Sequence, residues 1–330
     1  MTMKEKSKSI RLGLLGIGTV GGGTCDILQK EHDAILQRTG FDFRIAKVLA
    51  RHPEKAKRHG IGDDRLVQCF EEIEEDPSID IVVEAMGGLE PATEYMIRAM
   101  KKGKSVVTPN KAAVASNWER LHKVARENGV SFRFEASVGG GIPILTSIQD
   151  QLAANRFTEV KGILNGTTNY ILTRMSQAGL DYETALKEAQ DKGFAEQDPT
   201  ADVDGIDAAN KLSILIALCF DRYVAPAEIP RLGIRDIRKQ DIQNAQAQGK
   251  KLKLLAYAGT KEGAFSAFVK PVAVDASDPL YGVEGEYNAV TLTGNAVGDV
   301  MFRGRGAGAL PTGSAVAGDI ILCARDLARS

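Results

Sequence analysis

The sequence predicts an α/β chain: a doubly wound parallel sheet, then an α+β domain containing an antiparallel sheet. Two observations carry that expectation. Between Ile10 and Glu135, short apolar runs alternate with helical stretches, as in β-α-β units whose strands lie parallel. From Lys251 onward, strand-like runs over 251–258, 264–274 and 287–293 follow one another as in an antiparallel sheet.

Length and composition are compatible with this. At 330 residues, 43% apolar and 26% charged, the chain can form two globular domains with ample core. The net charge of −1 gives no electrostatic case for nucleic acid or an anionic membrane. Cys25, Cys69, Cys219 and Cys323 are scattered without a CxxC pair, which fits a reduced, cytoplasmic protein. The first nine residues read as a solvated tail, since the apolar run Ile10–Val20 behind them holds three glycines and no A-x-A-like cleavage site. No apolar run approaches the ~20 residues that span a bilayer.

Ile10–Leu15 reads as a buried strand, and Gly16-Ile17-Gly18-Thr19-Val20-Gly21 opens a helical segment reaching about Leu36. GxGxxG alone is weak and also describes a tight turn in other α/β folds. Placed between strand and helix it is a Rossmann-type dinucleotide signal, because backbone N–H groups at a helix start meet a pyrophosphate and glycine lets it come close. The second strand, Phe43–Leu49, ends in Ala50-Arg51 rather than in the acid that would bind the adenosine ribose of NAD. Arg51, followed by Lys55, Lys57 and Arg58, suits the 2′-phosphate of NADP, with NAD also possible. The same basic residues would equally solvate a helix start. Further strands over 79–84 and 105–108 end in Ala85-Met-Gly-Gly88 and Pro109-Asn-Lys111, with helices over about 91–102 and 118–128. Ligands of such a sheet lie at the strands' carboxyl ends, where Lys111 falls.

Ser131–Glu135 reads as another strand, leading into Ala136-Ser-Val138-Gly-Gly140-Gly-Ile142-Pro143. Three glycines bare a row of carbonyls beside the Glu135 carboxylate, an oxygen-rich setting for a hard cation. A flexible interdomain turn would have the same composition. A strand over 161–165 then runs into a helix beginning Gly166-Thr167-Thr168, and another helix covers about 182–192.

The stretch 193–211 is the centre of the chain. It gathers Glu196, Asp198, Asp202, Asp204, Asp207 and Lys211 before and within an apolar helix expected over 205–218, with Asp204 as N-cap and Asp207 at N3. Asp207 and Lys211 are four apart and share a face that continues into Ile214, Leu215 and Leu218. An arbitrary pair so spaced is an exposed salt bridge worth roughly 0.3–0.5 kcal/mol. Here the pair is expected at the edge of the interior. So many acids repel one another unless a cationic ligand such as an amino acid's ammonium is bound.

Tyr257 and Lys261 have the Tyr-x-x-x-Lys spacing of short-chain dehydrogenases, but Gly259 and the Thr-Lys-Glu-Gly turn place them on a hairpin instead of one helical face. A last glycine loop, Gly304-Arg-Gly-Ala-Gly308, opens a helix to about Leu327.

The order Gly-Phe-x-Glu-x-Asp-Pro-x-x-Asp-x-x-Gly-x-Asp-x-x-x-Lys over 193–211 resembles the signature of the homoserine dehydrogenases. The resemblance extends over nearly the whole chain, through Thr108-Pro-Asn-Lys111, Glu135-Ala-x-Val-Gly-x-Gly141, Asn165-Gly-Thr-Thr-Asn169 and Gly306-Ala-Gly308. It implies reversible hydride transfer between NADP(H) and the L-homoserine/L-aspartate 4-semialdehyde pair, in threonine, methionine and isoleucine biosynthesis, by a cytoplasmic homodimer. It implies a nucleotide-binding domain over 10–138, a substrate-binding and dimerisation domain over 139–300, and a segment over 301–330 that returns to the first domain with Gly308 near the cofactor. It also implies a structural sodium on Glu135 and the carbonyls of Val138, Gly140 and Ile142. The substrate would lie against Gly193, Thr167, Glu196, Asp202 and Asp207, with Glu196 on its ammonium group.

Two departures stand out. Phe194 occupies a position where the family often has tyrosine, and the chain ends soon after the last helix, as in a short form lacking the regulatory domain that many members carry. Another semialdehyde or amino-acid dehydrogenase on this architecture, or a silent NADP-binding sensor, would share much of the pattern. An acylating version would need a nucleophilic cysteine, and Cys219 lies in an apolar helix.

None of His32, His52, His59 and His122 lies in the central stretch, so lysine is the available acid/base. A lysine near pKa ~10.4 is a poor base unless a second ammonium or desolvation lowers that value. Lys211 is assigned the proton transfer and Lys111 the role of its partner, with Asp207 orienting the site.

Overall fold

The computed structural model describes residues 8–329. They form two compact units, one up to Gly141 and again from Gly308, the other Ile142–Ala307.

The first unit runs β1 (Lys8–Leu15), α1 (Thr19–Lys30), α2 (His32–Thr39), β2 (Phe41–Leu49), α3 (Pro53–Arg58), β3 (Leu66–Val67), α4 (Glu71–Glu74) and β4 (Ile81–Glu84). It continues with α5 (Ala92–Lys101), β5 (Ser105–Val107), α6 (Lys111–Ser116), α7 (Trp118–Glu127) and β6 (Phe132–Arg133). The six strands lie in the order β3-β2-β1-β4-β5-β6, and every pair is parallel. The order reverses between β1 and β4, and at that point the carboxyl ends of the strands open a crevice. Helices cover both faces, so the strands are continuous apolar runs whose alternate residues enter different cores. Ile81 and Val83 pack on one side with Leu12, Leu14 and Val107; Val82 packs on the other with Leu15, Val106 and Met96.

The second unit runs β7 (Phe157–Ile163), α8 (Gly166–Ala178), α9 (Tyr182–Asp191), α10 (Thr200–Val203), α11 (Ile206–Cys219), α12 (Lys239–Ala247), β8 (Lys251–Lys261), β9 (Ala264–Val274), β10 (Tyr287–Gly294) and β11 (Gly298–Arg305). Its strands form an antiparallel sheet in the order β11-β10-β7-β8-β9. Tyr257 and Lys261 lie on β8, which pairs with β9 as a hairpin.

The chain ends with α13 (Ala309–Arg329). This helix belongs to the first unit, where Val316, Ile320, Cys323 and Ala324 enter the β1 face of the core. It lies unusually close to α1. A Cβ on Gly23 would stand 2.1 Å from the Ala309 carbonyl oxygen, and one on Gly313 would stand 2.7 Å from the Gly23 carbonyl carbon.

Several expectations are corrected. The tail ends sooner than expected: Lys8 and Ser9 already belong to β1, and the rest of the tail lies outside the described residues. The expected helix from Gly16 to Leu36 is two helices, with Glu31 between them. The strand over 131–135 is only Phe132–Arg133, because the chain turns into a 3-10 segment at Glu135–Ser137. Asp204 is not the cap of the central helix. Gly205, with φ of 75° in the left-handed region, is the N-cap, so the helix starts at Ile206 and Asp207 is its second residue.

Candidate active site

In the first unit, the loop between β1 and α1 has the form a dinucleotide needs. Gly16 has φ of 93°, and a Cβ there would lie 2.7 Å from the Ala85 carbonyl oxygen. A Cβ on Gly21 would lie 2.2 Å from the Gly16 carbonyl oxygen, so this glycine is required for close packing of helix and strand. Gly18 differs from both: nothing in the protein lies within 4 Å of its absent Cβ. That position is exposed and caps α1 without a side-chain hydrogen bond, so the N–H groups of Thr19, Val20 and Gly21, the first of the helix, have no partner within the helix, which is what an anion at a helix start requires. Ile17 is buried beneath the loop. Arg51 is exposed just beyond β2. Gly308, with φ of 117°, immediately precedes Ala309, the residue that packs on Gly23. These features fit a pyrophosphate at the start of α1 and a basic residue beyond β2.

Lys111 is the first residue of α6, at the carboxyl end of β5. A buried network fixes this corner. Glu84 accepts from Thr108 Oγ1 at 2.6 Å and from the Met86 N–H at 2.7 Å. Asn110 donates to the Gly88 carbonyl at 2.7 Å and caps α6 by accepting from the Ala113 N–H at 3.1 Å. Sequence reasoning gave neither Glu84 nor Asn110 a role, although a carboxylate ending an apolar strand and an asparagine before Lys111 are visible signals.

At the end of this unit Glu135 and Val138 are buried, and Gly140 has φ of 58°. The Glu135 N–H donates to Asp319 Oδ2 at 2.8 Å. Burial pushes the Asp319 carboxyl up to about 7, with the Glu135 charge adding to the shift and the hydrogen bond opposing it. Neighbouring buried acids beside a carbonyl-rich turn are a donor set suited to a hard cation. Ile142 opens the second unit.

In the second unit Asp207 and Lys211 are only 6% and 7% exposed, which rules out the solvated salt bridge. Lys211 Nζ donates to Asp207 Oδ2 and to the Leu164 carbonyl, both at 2.7 Å. Asn165 ties the rest together. Its Oδ1 caps α8 by accepting from the Thr168 N–H at 2.9 Å, while its Nδ2 donates to Asp202 Oδ1 at 2.7 Å and Asp207 Oδ2 at 2.9 Å. Thr167 Oγ1 donates to the Phe194 carbonyl at 2.6 Å, holding the start of the acidic loop on α8. Burial raises the Asp202 pKa, and the Asp207 charge adds to that shift.

The other acids do not share this crowding. Asp204 pairs with Arg235, and Asp198 accepts from the Thr200 N–H at 3.1 Å. The expectation that this whole stretch repels itself is therefore corrected, since the protein supplies these partners. Gly193 and Glu196 lie on the exposed loop beyond α9, where the Glu196 carbonyl accepts from Gln190 Nε2 at 3.1 Å. The unit's one cysteine, Cys219, is buried with its thiol pushed up to about 12, which leaves an acylating mechanism without a nucleophile there.

Asn169, four residues beyond Asn165, anchors α8 by donating to the carbonyls of Val283 and Tyr287 at 3.2 and 3.1 Å. Its Oδ1 accepts from buried Lys253 Nζ at 3.2 Å. Burial pushes Lys253 down from 10.5 to about 8, so between those values the unfolded chain holds a proton the folded chain lacks, and stability rises with pH. Relative to Lys253→Met, the wild type is expected to gain about 3 kcal/mol from pH 8 to pH 10.5, measured by urea unfolding at both ends. Parallel pH dependences would show that Lys253 titrates normally.

A dinucleotide-binding unit joined in one chain to a unit with a buried lysine–carboxylate pair is the organisation of a nicotinamide-dependent oxidoreductase. The family model for homoserine dehydrogenase matches residues 143–321, and that for the homoserine dehydrogenase NAD-binding domain matches 16–135. The chain belongs to the homoserine dehydrogenase family. It is 40% identical over 320 residues to the homoserine dehydrogenase of Bacillus subtilis, covering 97% of this chain and 74% of that one. A homoserine dehydrogenase from Thiobacillus denitrificans superposes with a TM-score of 0.94 at 40% identity, covering 98% of this chain and 75% of that one. A hyperthermophilic archaeal homoserine dehydrogenase solved in complex with NADPH superposes with a TM-score of 0.80 at 28% identity, covering 96% and 98%.

Proposed function

We propose that the chain interconverts L-homoserine and L-aspartate 4-semialdehyde with NADP(H), and that Lys211 moves the proton. The observation that carries this reading is the Lys211 ammonium held between Asp207 Oδ2 and the Leu164 carbonyl, buried and beside a helix N-terminus. When bound, the nicotinamide supplies or accepts the hydride. In aldehyde reduction a proton must reach the carbonyl oxygen as the hydride reaches its carbon. The ammonium form of Lys211, paired with the Asp207 carboxylate, is the form that can give one. In alcohol oxidation the neutral amine takes the hydroxyl proton, and Asp207 then stabilises the ammonium formed. Lys111, fixed by the Asn110 cap, would assist at the same oxygen, and Glu196 would receive the substrate ammonium at the exposed loop. Asp202 and Asp207, with Thr167 and Gly193, would complete the substrate site.

The glycine loop from Gly16 to Gly21 would hold the dinucleotide, with Gly308 close by. A structural sodium would be held by Glu135 and the carbonyls of Val138, Gly140 and Ile142. Family resemblance supports a homodimer, and a place in threonine, methionine and isoleucine synthesis. Among the described residues no helix is long and apolar enough to cross a membrane.

NADPH production on adding homoserine and NADP tests the reading. No turnover in either direction by folded, NADP-binding protein would overturn it. Arg51 gives a second, sharper expectation, because it stands where an acid would favour NAD. Arg51→Ala is expected to raise KM for NADP about 10- to 100-fold, through loss of a charge-assisted contact, and to leave KM for NAD within about twofold. Equal changes with both cofactors would remove Arg51 from the phosphate site.

A further inference from the structure

Asn288 lies at the start of β10, 1% exposed, and its amide faces the same carbonyl that holds Lys211. Its Nδ2 donates to the Leu164 carbonyl at 2.9 Å, and Lys211 Nζ donates to that oxygen at 2.7 Å. The orientation of the amide follows from chemistry, since the reversed amide would set two acceptors against each other. Asn288 Oδ1 is then left buried with no hydrogen-bond partner. Burying an acceptor without a donor is unfavourable, so a residue chosen only for packing would not have to be an asparagine. The surroundings are built around it. Gly306 lies flat on the amide, where a Cβ would come within 2.0 Å of Nδ2, and a Cβ on Gly166 would stand 3.5 Å from Oδ1.

We propose that Asn288 is a positioning residue for the proton-transferring lysine, acting through the Leu164 carbonyl that the two side chains share. This rests on Lys211 being the acid/base. A carbonyl has two lone pairs, and a second donor both fixes its direction and weakens its pull on the ammonium. Asn288 therefore does two things to Lys211. It holds the carbonyl that aims Nζ, and it keeps that carbonyl from over-stabilising the charged form. Within the second unit, the charged groups facing Lys211 include Asp207 on its own helix and Asp202 on α10, while Asn165 and Asn288 supply neutral amides. Asn288 tempers the ammonium's stabilisation through the Leu164 carbonyl without adding a charge, as Asn165 does through Asp207 Oδ2.

The experiment measures the pH profile of kcat for homoserine oxidation in wild type, Asn288→Ala, the isosteric Asn288→Asp, and Lys211→Ala, with cofactor affinity and Tm alongside. Asn288→Ala is expected to lower kcat about tenfold and move the profile's midpoint up by about half a pH unit, with NADP affinity unchanged. Asn288→Asp keeps the shape but removes the donor and adds negative charge, so its midpoint is expected to move further in the same direction. Midpoints equal to wild type in folded variants would overturn the proposal and leave Asn288 a packing residue. Failure of both variants to fold would overturn it too, making Asn288 a folding determinant. Full turnover by Lys211→Ala would instead overturn the assignment of Lys211 and this proposal with it. A dead Lys211→Ala beside unshifted Asn288 variants would defeat this proposal alone.

Discussion

Lys211→Ala is expected to lose about a thousandfold in kcat, within the range a positioned acid/base group contributes, while NADP affinity stays unchanged. The two effects separate because the lysine lies in the second unit and the glycine loop in the first. The same substitution is expected to cost about 3–5 kcal/mol of stability. It leaves the Asp207 carboxylate, 6% exposed, without the ammonium at 2.7 Å, and breaking a buried pair from one side strands a charge. Activity loss through unfolding must therefore be told apart from loss through chemistry, and the double variant Asp207→Asn/Lys211→Met does so. With both charges removed, Asn165 can still bond the amide placed at position 207 and most of the stability is expected to return, while turnover stays absent. Recovery of turnover in the double variant would show that the pair holds the fold and moves no proton. Urea unfolding and initial rates on the same samples decide between the two.

Gly23→Ala is expected to destabilise the protein by about 3 kcal/mol or more, against the usual sign for a glycine inside a helix. Replacing helical glycine by alanine normally stabilises by about 0.5–1 kcal/mol. At Gly23 the new methyl would stand 2.1 Å from the Ala309 carbonyl oxygen, which is backbone and cannot rotate away. Helices α1 and α13 would have to separate, at a cost typical of overpacking or beyond it. Gly318→Ala supplies the control. It lies on α13 with nothing within 4 Å of its Cβ position and should show the ordinary gain. Opposite Tm shifts would confirm that the α1–α13 approach requires glycine. Because Gly23 lies two residues beyond Gly21 of the glycine loop, Gly23→Ala is also expected to weaken NADP binding. A Gly23→Ala protein as stable as wild type would show that the two helices can move apart freely.

Much of the fold was legible in the sequence because its strands are buried on both faces. Continuous runs such as Ile81-Val-Val83 have no other use, and the glycine loop after β1 marks where the sheet reverses its order. β11 was missed because its residues alternate between exposed and half-buried, with glycine at its start and arginines near its end. The break at Glu31 has no glycine or proline to announce it. In the site, the Asp207–Lys211 spacing was legible because a single helix sets it. Asn165 and Asn288 were not. The partners of the Asn165 Nδ2 lie 37 and 42 residues away and that of the Asn288 Nδ2 lies 124 away, so only the packed structure gives these amides their role at Lys211. Asp204 misled for a local reason: the left-handed backbone at Gly205 moved the helix start on by one residue, and Arg235 took the carboxylate.

The docking of α13 on α1 has a consequence for how the protein is made. The β1 face of the first unit is completed by a helix that the ribosome emits only after the whole of the second unit, Ile142–Ala307. At about 5–20 residues per second, the nascent sheet waits on the order of ten seconds with Leu12, Leu14 and the glycine flank of α1 uncovered. During that interval the second unit can fold as a continuous segment. The unit that begins first therefore finishes last, and the uncovered flank is the surface a chaperone would meet.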